Sequence, residues 1–244
     1  MLWRALQSSG LWKLLRKSAF LRSGLYLAIE MYRTVREPRA SSAQVVDRDF
    51  TQRRDPWKYE TDALEKARYL KQTELLDELL GAGKFGAGLE IGCAEGLYTE
   101  TLADRCEMLL VLDLSPTALE RARSRCVWPD GVHFSAFDLR SQPIPGAFDL
   151  IVLAGVLEYF NRPSTFFKIR EKLAGALQPG GYLLLETTRV NPVVENAWWG
   201  RRLMRGKWIN MFVAEHPSLV TVTSVMTDAY SLILCRKSAS GGAK

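Results

Sequence analysis

The sequence predicts an α/β fold on a mostly parallel sheet, and three observations carry that prediction. Apolar runs of strand length alternate with stretches of helical period from residue 63 onward. The central runs, such as MLLVLD at 108–113 and FDLIVLA at 148–154, are continuously apolar, as in strands buried on both faces. In GLEIGCAEGLYTETLA at 88–103, an apolar run passes through a glycine-containing loop into a helical pattern. A strand–loop–helix junction of this kind is where α/β sheets accept nucleotide-like ligands.

Residues 38–54 are polar without sustained period and read as a linker. DPWKYETD at 55–62 is turn-like, and Pro56 favours extended backbone at Asp55. Thr61 or Asp62 can cap the next helix, whose apolar positions are Leu64, Tyr69, Leu70, Leu75, Leu76, Leu79 and Leu80. Gly81 and Gly83 end it. A strand is expected at 87–92, a helix at 97–105, a second strand at 108–113 and a helix at 116–126. Ser115 caps that second helix and Pro116 takes its first position. Strands follow at 132–137 and 148–154, then a helix at 163–177. QPGG at 178–181 reads as a sharp stop before a fifth strand at 182–187. LVTVTSV and AYSLILC, separated by Met226 to Asp228, are too close for a crossover helix and should form an antiparallel hairpin.

Composition narrows the class. With 244 residues, 47% hydrophobic and 25% charged, the chain suits one α/β domain plus an extension. Its four cysteines, Cys93, Cys106, Cys126 and Cys235, form no C-x-x-C pair, which suggests a reducing cytoplasm without a disulfide framework or zinc site. The net charge of +6 is unevenly placed. Residues 1–40 hold eight Lys or Arg and two Glu, so the remainder balances at 25 basic (33 − 8) against 25 acidic (27 − 2). A neutral catalytic region argues against a nucleic-acid partner. The N-terminal segment mixes Leu, Trp and Phe with Arg and Lys, with no run long enough to span a bilayer. Three readings stay open for residues 1–38: peripheral contact with an anionic membrane, a structural helical arm, and a transit-like segment.

The junction loop narrows the ligand. Asp113 ends the second strand 21 positions after Gly92 (113 − 92), near the offset at which a carboxylate meets ribose hydroxyls. A dinucleotide fingerprint needs a glycine two positions after Gly92, where this chain has Ala94. Glu95 then puts an anion where phosphates would sit. S-adenosylmethionine is an adenosine-containing alternative without phosphate, and Glu90 suits its cationic end.

LEIGCAEG, VLDLS, FDL at 137–139, FDLIVLAGVLEYF and LQPGGYLLLE, in that order, resemble the motifs of class I S-adenosylmethionine-dependent methyltransferases over roughly residues 55–236. DPWKYE, LEIGCAEGLYTETLA and GKWIN at 206–210 resemble the nodulation N-methyltransferase (NodS-like) group more closely. The resemblance implies a Rossmann-like seven-stranded sheet of order 3-2-1-4-5-7-6 with strand 7 antiparallel. It divides the chain into an N-terminal helical extension and linker at 1–54, a methyltransferase domain at 55–237 and a flexible tail at 238–244. It also implies roles. Glu90, Gly92, Cys93, Ala94 and Gly96 should line the methionine end, and Asp113 should bind the ribose with Leu114 against the adenine. Asp138 should accept from the adenine amino group beside Leu139. Ala154 and Gly155 should lie under the methyl donor, and Tyr59 and Arg68 in the segment that closes over it. Ala94 departs from the glycine of many members, and its methyl is tolerable if φ stays negative.

Taken singly, these residues have plainer readings: a strand–helix turn, a capping acid at Asp113, a turn residue at Asp138. Their joint order favours an enzyme that methylates an amine or hydroxyl of a small molecule, with the nodulation-type resemblance pointing to a saccharide or glycan intermediate. The alternatives are a nucleotide-binding oxidoreductase and a non-catalytic, membrane-docked adaptor. Candidates for proton transfer are Glu158 and Tyr159, after the fourth strand, and His216, which also reads as an ordinary loop histidine. His133 opens a strand and reads as structural, and no residues are spaced as metal ligands. The long connection at 189–212 carries Trp198, Trp199 and Trp208 among basic residues. They read as an acceptor-stacking loop or as packing onto the sheet.

Overall fold

The computed structural model describes residues 43–160, 162–189 and 206–239. The expectations for residues 1–38, for Trp198 and Trp199, and for most of the tail fall outside these residues.

Chain order is α1 (Ala43–Gln52), α2 (Ala63–Leu80), β1 (Phe85–Ile91), α3 (Leu97–Ala103), β2 (Cys106–Asp113), α4 (Pro116–Arg123), β3 (Val132–Ala136) and β4 (Phe148–Ala154). A single 3-10 turn (Leu157–Tyr159), α5 (Pro163–Ala176), β5 (Leu177–Thr188), α6 (Lys207–Ala214), β6 (Leu219–Met226) and β7 (Tyr230–Lys237) complete it. The seven strands pair in the order β3-β2-β1-β4-β5-β7-β6. β7 runs antiparallel to β5 and to β6, and the other pairs are parallel. The strand order and the terminal hairpin agree with the sequence reading.

The continuous apolar strands are explained by the two cores. In β4, Ile151 and Leu153 join the core under α5 and α6, while Leu150 and Val152 join the opposite core under α2, α3 and α4. The same alternation places two acids. Leu89 and Ile91 face the α5 side, so Glu90 between them faces the α2–α3 side. Leu184 faces the α2–α3 side, and Glu186, two residues on, shares that face. Strand order reverses between β1 and β4, and the crevice outside their carboxyl ends is where ligands of such sheets bind.

Four local expectations are corrected. The segment read as a linker contains α1, which buries Phe50 and packs on α4. Its Asp47 accepts from the Ser115 hydroxyl and from the Thr117 amide at the α4 N-terminus, so polar residues serve as anchors there. Asp55 is not extended but has φ +43. Its carboxylate accepts from the Tyr59 and Glu60 amides, and its own amide donates to Glu95, bonds that hold the turn despite Pro56. On α2, capped by Asp62, Leu64 and Leu70 are exposed, whereas Arg68, Gln72, Leu75 and Leu76 face inward. The buried face carries polar side chains because Glu186 waits on the sheet beneath it. QPGG does not precede β5 but belongs to it, with an irregularity in pairing between Phe148 and Leu150.

Candidate active site

A cavity opens at the carboxyl edge of β1, β2 and β4, where ligands of such sheets bind. The loop after β1 supplies Gly92 and Ala94, the end of β2 supplies Asp113 and Leu114, and the segment after β3 supplies Phe137, Asp138 and Leu139. Ala154, Gly155, Val156, Tyr159 and Phe160 come from the end of β4 and the turn beyond it. Val46 and Phe50 of α1, with Trp57 and Tyr59, form the remaining wall. An aromatic ladder runs Phe50–Trp57–Tyr59–Tyr69–Tyr98, with centroid spacings of 5.0, 6.1, 5.9 and 4.9 Å. It ties α1, the 55–62 turn, α2 and α3 into one cover. A small second hollow continues under Gly92 between Tyr59, Tyr69, Glu90, Cys93 and Tyr98.

Asp113 is almost fully buried, and its Oδ2 and Oδ1 accept from the amides of Ala94 (2.9 Å) and Ser115 (2.8 Å). Burial pushes its carboxyl up to about 6 against the pull of those amides. Glu90 accepts a 2.6 Å bond from the Thr99 hydroxyl. Burial raises its carboxyl to about 7, the Thr99 bond opposing and Asp113 adding to the rise. Asp138 accepts from the Arg140 amide and from the Ser141 hydroxyl. Leu114, Phe137 and Leu139 line the cavity beside Asp113 and Asp138, apolar surface and acceptors whose chemistry suits a nucleoside.

Two expectations about the loop change. Ala94 does not keep a negative φ; it sits at +49. That strain is compensated by its amide bond to Asp113, which also spends the N–H a phosphate would need. Glu95 does not face the cavity. Arg121 Nη1 (2.6 Å) and the Asp55 amide (3.1 Å) hold it, so the loop disfavours pyrophosphate through Ala94 more than through Glu95. Gly92 has φ +86, and a Cβ there would lie 2.2 Å from Val156 Cγ2. Gly92→Ala should therefore abolish nucleoside binding by calorimetry. Val156→Ala in the same chain restores room but not the left-handed backbone, so recovery should be partial.

The proton-transfer candidates separate. Tyr159 lines the cavity, and burial drives its hydroxyl well above the ordinary range, which removes it as a base near neutral pH. Glu158 lies on the 3-10 turn and accepts from the Thr188 amide at 2.6 Å. His216 is excluded by topology. It precedes β6, which is parallel to β5, so it sits at the amino edge of the sheet, opposite the cavity. There it meets Glu171 at 3.2 Å and Ser218 at 2.8 Å. Arg68 is not at the cavity wall. It is buried behind Tyr59 and paired with Glu186 and Glu65. Gly96 caps α3 at φ +81, outside both hollows, and Trp208 on α6 packs under Lys207 Nζ at 5.1 Å. His133 is exposed on β3.

The sequence profile of Nodulation protein S (NodS) matches residues 38–228, from before α1 into the terminal hairpin. The chain belongs to the NodS family. It is similar to Nodulation protein S of Rhizobium tropici, 33% identical over 135 residues, 55% of this chain and 56% of that protein. Against Nodulation protein S of Bradyrhizobium diazoefficiens it is 34% identical over 135 residues, 55% of this chain and 63% of that protein. The chain thus spans less than two thirds of these curated relatives' length. Its fold is similar to the crystal structure of the N-methyltransferase NodS from Bradyrhizobium japonicum WM9 in complex with S-adenosyl-L-homocysteine. The TM-score is 0.66 at 28% identity, over 80% of this chain and 97% of that one.

Within the NodS frame, the sequence reading missed Val46, Phe50, Trp57, Phe137, Phe160 and Glu186. Val46 and Phe50 stand at i and i+4, a one-turn apolar stripe too short to register among charged neighbours. Glu186 is an acid inside an apolar strand, a signal present in YLLLET.

Proposed function

We propose that the chain is an S-adenosylmethionine-dependent N-methyltransferase acting on an amine of a small, saccharide-like acceptor. The observation that carries this is a cavity lined by Asp113, Asp138, Gly92 and apolar side chains at the carboxyl edge of the sheet, with Glu90 in the adjoining hollow. NodS-family membership and the fold shared with a NodS crystallised with S-adenosyl-L-homocysteine support it. The residues fit the group. Two carboxylates meet hydroxyl and amino donors, apolar side chains face the base, and buried Glu90 lies where a cationic end would rest. When bound, the cofactor supplies a methyl group on a positively charged sulfur. The chain binds and orients the two reactants, and its aromatic cover excludes water. The oxidoreductase alternative is disfavoured by the Ala94 amide already spent on Asp113.

Asp113 and Glu90 make cofactor binding proton-linked. Both carboxyls are raised, to about 6 and about 7, so the free protein holds part of their protons at pH 6. Ribose hydroxyls donate to an ionised Asp113, so binding should release protons at pH 6 and weaken as pH falls below that. Calorimetry in buffers of different ionisation enthalpy measures the release. The same raised carboxyls should make folding stability fall as pH rises from about 4 to about 7, because the unfolded chain binds fewer protons there.

The acceptor class is tested by offering amine- and hydroxyl-bearing saccharides with S-adenosylmethionine and weighing the products; mass gain on hydroxyls alone refutes the amine reading. No helix among the described residues is long and apolar enough to cross a membrane. We place peripheral membrane contact in the basic segment 1–38, which holds seven Lys or Arg and two Glu. Deleting it should lower sedimentation with anionic vesicles; unchanged partition refutes that role.

A further inference from the structure

Behind Gly155 lies a group of ionisable side chains that cofactor binding leaves without a role. Glu186, near the end of β5, is fully buried. Its Oε2 takes Arg68 Nη1, while its Oε1 is buried with no hydrogen-bond partner. Glu158, on the turn after the neighbouring strand β4, gives Oε1 to the Thr188 amide, and its Oε2 is likewise buried without a partner. Glu65 pairs with the other terminal nitrogen of Arg68, so two carboxyls share one guanidinium, with Glu158 nearby. Two orphaned acceptor atoms on neighbouring strands are rare in a folded chain and call for a donor.

The cluster adjoins the cavity. Gly155 lines it, and a Cβ at Gly155 would stand 3.6 Å from Arg68 Nη1 and 3.8 Å from the Tyr59 hydroxyl. The glycine thus puts no side chain between the cavity and Arg68, which holds Glu186.

We propose that Glu158 and Glu186 together receive the acceptor amine, binding it as an ammonium through their orphaned oxygens and taking its proton before transfer. This rests on the methyltransferase reading above. The ammonium N–H bond breaks and its proton passes to the carboxyl pair, which leaves the nitrogen lone pair free. That pair forms the bond to the methyl carbon as the carbon–sulfur bond breaks onto sulfur. The product departs as a secondary ammonium and the carboxyl returns its proton to solvent. Burial holds Glu186 up to about 8, with Arg68 opposing and Glu158 reinforcing, and burial also raises Glu158. Tyr59 and Glu65 complete the charged and titratable groups facing the pair. Arg68 is the positioning residue: it keeps Glu186 aimed while neutralising one of the charges.

The test uses the full chain saturated with S-adenosylhomocysteine, with D-glucosamine and D-glucose as probes. Wild type should bind the amine at least about tenfold tighter than the hydroxyl sugar, and Glu158→Gln should erase that preference while S-adenosylhomocysteine affinity is retained. Methyl transfer to glucosamine should fall about a hundredfold or more in E158Q, with loss of the acid limb of its pH profile. Glu186→Gln should do the same; Glu186→Asp, which keeps the charge beside Arg68, should restore part of the activity. Equal or absent binding of both sugars, or an E158Q pH profile like wild type, overturns the proposal. Failure of wild type to bind S-adenosylhomocysteine would instead overturn the methyltransferase reading beneath it.

Discussion

Asp113→Ala is expected to weaken S-adenosylhomocysteine binding by two orders of magnitude or more. Asp113 ends β2 at the mouth of the cavity, and its carboxylate would accept from both ribose hydroxyls. Charge-assisted hydrogen bonds of this kind contribute roughly 1.5–3 kcal/mol each, so losing two costs about 3 kcal/mol at the least. The same oxygens anchor Ala94, whose φ of +49 is disfavoured for an L residue. The variant therefore also frees the loop that shapes the cavity floor. Asp113→Asn keeps an acceptor and the shape, so it should fall between wild type and D113A. Calorimetry reads both; unchanged affinity in D113A would remove the ribose role.

Arg68→Met should be the most destabilising single change behind the cavity, by about 3–5 kcal/mol, because it leaves Glu186 buried without its cation. The sign of its pH dependence follows from Glu186. Already raised to about 8 by burial, its carboxyl rises further without Arg68, so above about pH 8 the folded variant keeps a proton that folded wild type gives up, while the unfolded chains behave alike. The deficit should be flat from about pH 5 to pH 7 and grow above about pH 8, as urea midpoints at pH 6 and pH 9 would show. The pair is costly to break rather than a large net source of stability. Arg68→Met combined with Glu186→Gln should accordingly recover much of the loss. Equal deficits at both pH values would contradict this account.

Much of the architecture was legible because the strands announce themselves. Continuous apolar runs can only be strands covered on both faces, and the short spacer at 226–228 forces a hairpin. Asp113, Asp138, Gly92 and Gly155 were legible because backbone geometry and motif order fix them near the strand ends. What escaped was long-range. Helix α1 carries too little apolar surface to show periodicity, and its place is set by Asp47 reaching the α4 N-terminus some 70 residues on. Arg68 reads, by resemblance, as part of the segment that closes over the methyl donor; its ion pair with Glu186, 118 residues away, is not visible in the sequence. His216 misleads in the opposite sense: nearness in sequence to the fifth strand says nothing of which edge it occupies, and β6's direction puts it at the wrong one. Ala94 shows a local rule overridden, since a strained φ persists where a buried carboxylate rewards it.

The most direct measurement is calorimetric titration of the full chain with S-adenosylhomocysteine and, separately, with NAD. Saturable one-to-one heat from the thioether nucleoside and none from the dinucleotide is the result expected of a crevice whose loop amide is already committed to Asp113. Saturable NAD binding with a flat response to S-adenosylhomocysteine would contradict it.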